Sequence, residues 1–124
     1  MLPFDKDPER RDPKLYLKEI IDYIDDIKEI TQGLTCETFL QHKINMHALK
    51  DVLRDIAEAV WAISKNKRVK DLFYYYHIPY QKLCGMRHEL THEYFSADWP
   101  SMWNTAINDL PRLQPQFKKI IDDL

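Results

Sequence analysis

Glycine is almost absent from this chain: two occur in 124 residues. Long stretches rich in Leu, Ile, Lys, Glu and Asp run between the prolines, and that composition favours helices over a sheet. Cysteine is equally scarce. Cys36 and Cys84 are too few and too scattered for a disulfide framework or a Cys-based zinc site. No apolar run approaches the roughly 20 residues that span a bilayer. The opening residues lack a charged-then-apolar stretch, so a cytoplasmic, reduced setting away from membranes is the expectation. A strong charge of one sign is also missing. The formal net charge of −2 leaves no global footprint for nucleic acid, so any RNA contact must be local.

The charges that are present are segregated. Glu19, Asp22, Asp25, Asp26 and Glu29 make the first long segment acidic, whereas Lys65, Lys67, Arg68 and Lys70 form a basic cluster. Such a cluster serves either as a solvated helix end, where cations suit the dipole, or as a set of phosphate contacts. The length suits one domain over residues 1–124, large enough to bury a core without cross-links.

Helical punctuation divides the chain. Asp12-Pro13 reads as a helix start, with Asp as N-cap and Pro at the first position. Leu17, Ile20, Ile21, Ile24, Ile27 and Ile30 follow at helical spacing, and Gly33 supplies a stop. Thr35 caps a short helix holding Phe39 and Leu40. A second long helix is predicted from about Ile44 to Ser64, with Leu49, Val52, Leu53, Ile56, Val60 and Ile63 on one stripe. Residues 65–78 read as irregular with one helical turn near Val69–Phe73. Pro79 reopens a helix through Tyr94, Asp98 starts another, and Pro111 and Pro115 should kink or split it. The fold class predicted is all-α, an antiparallel bundle of four to five helices.

Residues 85–95, Gly-Met-Arg-His-Glu-Leu-Thr-His-Glu-Tyr-Phe, carry two competing chemistries. His88-Glu89-Leu90-Thr91-His92 is an H-E-x-x-H string, in which two imidazoles four apart can bind zinc with the intervening Glu as base. A third ligand is then needed, and the extended pattern's Gly and His positions hold Phe95 and Asp98. The other chemistry takes Arg87, four residues, His92, one residue and Tyr94.

That second pattern resembles the active-site segment of HepT-type toxins of the HEPN superfamily, with His88 in the polar slot after the Arg. The resemblance runs along nearly the whole chain. Arg11-Asp12-Pro13 with Tyr16-Leu17 and Ile20 is similar to the family's opening helix, and Gly33-Leu34 with Phe39-Leu40 to its first turn and short helix. Ala57-Glu58-Ala59 resembles a Gly-Glu-Ala element of the third helix, and Pro79-Tyr80 a Pro-Trp ahead of the active-site helix. Trp103, Asp109-Leu110-Pro111 and the final amphipathic stretch resemble its last helix. Ala57, Tyr80 and a longer, aromatic-rich 65–78 connection depart from the pattern but leave Arg87, His92 and Tyr94 intact.

The resemblance implies a HEPN-like homodimer and a metal-independent endoribonuclease needing no cofactor, the toxin of a type VII-like toxin–antitoxin pair. It further implies that a partner nucleotidyltransferase antitoxin silences the toxin by attaching AMP to Tyr94. The residue chemistry agrees with the roles. An imidazole such as that of His92 can take the proton of a ribose 2′-OH, and the donor fork of Arg87 matches phosphate oxygens. On one straight helix, however, Arg87 and His92 lie roughly 140° apart around the axis and about 7.5 Å apart along it. A composite cleft across a two-fold axis would bring them together. Glu58 is a candidate to orient Arg87 if buried towards the cleft, and otherwise an exposed helical Glu. Tyr74, Tyr75, Tyr76, His77 and Tyr80 either stack on RNA bases or pack over the bundle end. Two other functions stay open: a non-catalytic partner of a minimal nucleotidyltransferase binding nucleotide or substrate in the same cleft, and a zinc hydrolase.

Overall fold

The computed structural model describes residues 11–92 and 98–124, and among them there is no strand. Helix α1 (Pro13–Thr31) starts as its sequence dictates: the Asp12 carboxylate accepts from the Lys14 N–H at 2.9 Å, and Pro13 fills the first position, where no amide is needed. Its stop is a type II turn. Gln32 (φ −57°, ψ 128°) and Gly33 (φ 74°) are the central residues, and the Leu34 N–H closes the turn onto the Thr31 carbonyl at 3.1 Å. In short α2 (Cys36–Phe39), Thr35 and Thr38 cap each other reciprocally, with Thr in the place usually taken by Glu.

Helix α3 (Lys43–Ile63) runs back antiparallel to α1. Near its start the Asn45 side chain donates to the carbonyl of Ile30 at the end of α1 (2.9 Å), while near its end Trp61 shares a groove with Tyr16 at the start of α1. Helix α3 also packs on α5 (Tyr80–His92), so it is wedged between two partners. Ala57, Ala59 and Ala62, all buried, keep its flanks thin enough for both. Ala57 is fully buried, so the methyl that departs from the family's glycine is accommodated there.

The connection after α3 corrects the sequence reading. Residues 65–78 hold a nine-residue helix, α4 (Lys67–Tyr75), where one turn was predicted. The overlooked signal is Asn66, whose side chain caps the Val69 N–H at 3.2 Å. The helix ends in a paired-bond C-cap: Ile78 N–H bonds to Phe73 O (2.8 Å), His77 N–H to Tyr74 O (3.2 Å), and Ile78 and Phe73 are both buried. His77 takes the left-handed conformation (φ 58°) at the position where glycine is usual. Arg68 donates to the Asp123 carbonyl at 2.6 Å, and the Tyr76 hydroxyl donates to the Asp123 carboxylate, so α4 is strapped to the end of α7 (Leu110–Asp123).

Asp98 caps α6 (Trp99–Asn104), accepting from the Ser101 N–H (3.2 Å) and hydroxyl (2.8 Å). A π-helical segment, Thr105–Asp109, joins α6 to α7, with Leu110 N–H reaching back five residues to Thr105 O. The predicted disruption therefore falls just before Pro111, where a wider turn relieves the proline ring's clash with the preceding turn. Pro115, by contrast, is carried inside α7 without a break. Helix α7 is pinned to α1 by Gln114, a buried amide that donates to Ile21 O (3.0 Å) and Asp25 Oδ1 (2.9 Å) and accepts from Lys28 (2.9 Å). That bond holds the Asp25 carboxyl below its usual range. One hydrophobic cluster joins the helices, with Phe39 against Trp99 and Trp103 at one place and Phe73 against Phe117 at another.

Two predictions follow from the turns and the strap. Gly33→Ala, whose Cβ meets no atom but whose φ is positive, should lower stability by about 1 kcal/mol, and His77→Gly should raise it by a similar amount. The midpoints of urea unfolding should move in those opposite directions. The bond to Asp123 holds the Tyr76 phenol neutral and pushes its pKa up to about 12. Its stabilising effect is full below the unfolded value of about 10 and disappears as pH rises through about 12. An alkaline absorbance titration should show a late phenolate step that Tyr76→Phe abolishes.

Candidate active site

The buried stripe of α5, Leu83, Met86 and Leu90, turns this helix onto α3 and thereby decides where its polar residues point. Arg87, next to Met86, is half-buried, and its guanidinium carbon lies 4.3 Å from the ring centroid of Trp61 on α3. His88 and His92 are exposed, their rings 4.9 Å apart and tilted by 46°. Arg87 and His92 are thus on one helix with different surroundings, the first held against α3 and the second beside His88. Tyr94 lies outside the described residues.

Glu58 is exposed, and among the described residues no ion pair joins it to Arg87. Of the two alternatives for Glu58, the structure shows the exposed helical one. Glu58 looks into a groove of about 500 Å³ between α1 and α3 that Glu19, Asp55, Tyr16 and Tyr23 also line. Desolvation pushes the Asp55 carboxyl up against the pull of Arg54, and raises the Tyr23 phenol as well. The three carboxylates are partly balanced in place, because Arg54 also lines the groove and Arg11 pairs with Glu19.

The residue that sequence reasoning missed is Trp61. Its ring receives a second cation, the Lys65 ammonium 3.6 Å from the centroid, one helical turn further along. The i,i+4 spacing of Trp61 and Lys65 was the signal available. The rest of the basic cluster divides: Lys67 pairs with Asp71 on its own helix (2.9 Å), Arg68 is spent on the Asp123 carbonyl, and Lys70 is exposed. Next to Arg87, burial pushes the Cys84 thiol up while the guanidinium charge and the Ser64 hydroxyl oppose the shift.

The H-E-x-x-H residues do sit on one helix. Glu89, the base in a zinc reading, accepts a hydrogen bond from the Asp98 N–H at 3.1 Å and so ties α5 to the start of α6. Among the described residues no group of three or more His, Cys, Asp or Glu converges. The aromatics between positions 74 and 80 split between two fates. Tyr80 stacks on buried Phe73 (5.8 Å, 26°) and Tyr76 is fixed to Asp123, while Tyr74 and Tyr75 stay exposed.

A family model described as Ribonuclease HepT-like matches residues 20–120, a stretch that contains α3, α5 and both Arg87 and His92. Among curated proteins, two from Methanocaldococcus jannaschii that are provisionally named RNases are similar. One is 39% identical over 115 residues, covering 93% of this chain and 92% of the relative. The other is 40% identical over 115 residues, covering 93% and 96%. A protein of Thermococcus cleftensis named "Probable ribonuclease HepT" is 33% identical over 113 residues, covering 90% and 97%. No solved structure matches the chain significantly.

Proposed function

The chain belongs to the Ribonuclease HepT-like family, and we propose that it is a metal-independent endoribonuclease toxin whose catalytic residues are Arg87 and His92. The observation that carries this reading is the family match spanning an α5 on which Arg87 and His92 keep their spacing and His92 is open to solvent. In the reaction, His92 removes the 2′-OH proton, the resulting oxygen attacks the adjacent phosphorus, and the bond to the 5′-oxygen breaks. The departing 5′-oxygen takes up a proton from water, and a 2′,3′-cyclic phosphate and a 5′-hydroxyl result. Arg87 stabilises the negative charge that builds on the phosphate oxygens.

The divergent surroundings of the two side chains favour a site completed by a second copy of the chain, with Arg87 of one protomer working beside His92 of the other. His88, its ring next to that of His92, supports the site by restricting that imidazole. Lys65 adds positive charge at Trp61, and Lys70 offers an exposed contact for the RNA backbone. A nucleotidyltransferase antitoxin silences the toxin by AMPylating Tyr94. No helix of the described residues is long and apolar enough to cross a membrane.

Purified protein should cleave RNA in excess EDTA, and His92→Ala and Arg87→Ala should each reduce the rate by at least a hundredfold. Mixing the two inactive variants should restore part of the activity, because a mixed dimer holds one intact composite site. Loss of wild-type cleavage in EDTA with recovery on adding zinc would overturn the metal-free mechanism. Inactivity under every condition would favour a non-catalytic partner of a nucleotidyltransferase. Incubation with ATP and the cognate nucleotidyltransferase should add AMP units to the intact mass. A Tyr94→Phe protein gaining the same mass would remove that residue from the regulatory role.

A further inference from the structure

Arg87 is held by an aromatic ring where a carboxylate would be the ordinary choice. Among the described residues no Asp or Glu pairs with it, although Glu58 stands three positions before Trp61 on α3. The difference matters chemically. A carboxylate would neutralise the guanidinium and occupy two of its five N–H donors. A ring face attracts the same charge and supplies no acceptor oxygen, so the cation is held while its donors stay available for another anion.

Trp61 also has charged neighbours of both signs. Its ring borders the groove lined by Glu19, Asp55, Glu58 and Arg54, and it receives Arg87 and Lys65. Both cations sit within 4.3 Å of the centre of that one ring. Two like charges held at one half-buried indole repel each other, and an anion beside them relieves the repulsion. The ring thus carries two cations beside a groove in which Arg54 and the Arg11–Glu19 pair already offset part of the carboxylate charge.

We propose that Trp61 is a positioning residue that, together with Lys65, presents Arg87 to a phosphate group of the RNA. This rests on the nuclease reading for its biological substrate, but the binding site itself does not require turnover. Without the indole, Arg87 is free to swing onto Glu58, and the phosphate loses its fixed partner.

The test uses a 2′-O-methyl oligoribonucleotide, which supplies phosphates but cannot be cut, and reads binding by anisotropy in the full-length protein. Trp61→Leu should weaken binding about tenfold, as the strength of a partly desolvated cation–π contact implies. Trp61→Phe, which keeps a ring face, should stay within about threefold of wild type. In an Arg87→Ala background, Trp61→Leu should cost clearly less than in wild type, only the part carried by Lys65, which a general packing defect would not produce. The indole N–H resonance missing from Trp61→Phe identifies Trp61, and in wild type it should shift when the oligonucleotide is added. Unchanged binding in Trp61→Leu, an undiminished loss in the Arg87→Ala background, or a silent Trp61 resonance would each overturn the proposal. A protein that binds in this way yet cuts no RNA would sink the nuclease reading and leave the Trp61 site standing.

Discussion

The rest of the structure depends on α3 fitting between α1 and α5. Small side chains on its flanks let a helix approach two neighbours closely, because interaxial distances follow the side chains at the contact. Ala57, Ala59 and Ala62 make the second approach possible, while Leu53, Ile56, Val60 and Ile63 supply the apolar area that stabilises it. The consequence reaches the chemistry directly. Because α5 is seated on α3 through Leu83, Met86 and Leu90, Arg87 arrives over Trp61, and His88 and His92 remain on the exposed side.

The remaining elements keep that three-helix arrangement in register. Gln114 is a buried amide with each of its bonds made, so it ties α7 to α1 without the cost of an unpaired polar group. The Asp123 carbonyl and carboxylate fasten the end of α7 to α4 through Arg68 and Tyr76. Helix α4 therefore serves the fold at the bundle end, which is why two of its basic or aromatic residues are committed to intramolecular bonds. Glu89, a residue a zinc enzyme would need as base, anchors α6 instead.

Much of the fold was legible in the sequence because local signals and burial agree. Asp12-Pro13 and Asp98 start helices through side-chain caps, Gly33 stops one through its positive φ, and the isoleucines of α1 recur at the spacing that one buried face requires. Helix α4 was harder to see. Its cap is a lone asparagine, its stop is a histidine in a glycine position, and only Val69 and Phe73 are buried, so its periodicity is short. The π segment was legible only as trouble around Pro111; sequence could not say that the helix would widen before it. At the candidate site, the residue types and spacing on α5 were visible, but the partner of Arg87 was not. Glu58 and Trp61 both lie on α3 within reach of α5 by sequence reasoning, and helix rotation alone decides between them. That rotation is set by how α3 packs between α1 and α5, a tertiary property.

The same rotation makes the case for a site shared between copies. A guanidinium and an imidazole five residues apart on a straight helix diverge by roughly 140°, and bending the helix enough to bring them together would disrupt the apolar packing that seats α5 on α3. Moving Arg87 instead would cost its contact with Trp61. A second α5 brought against the exposed His88–His92 side needs neither distortion: each Arg87 keeps its ring, and each His92 meets the other protomer's cation. On the proposed reading, the cheapest way for this fold to place a base and a cation on one phosphate is to leave both helices as they are and duplicate them.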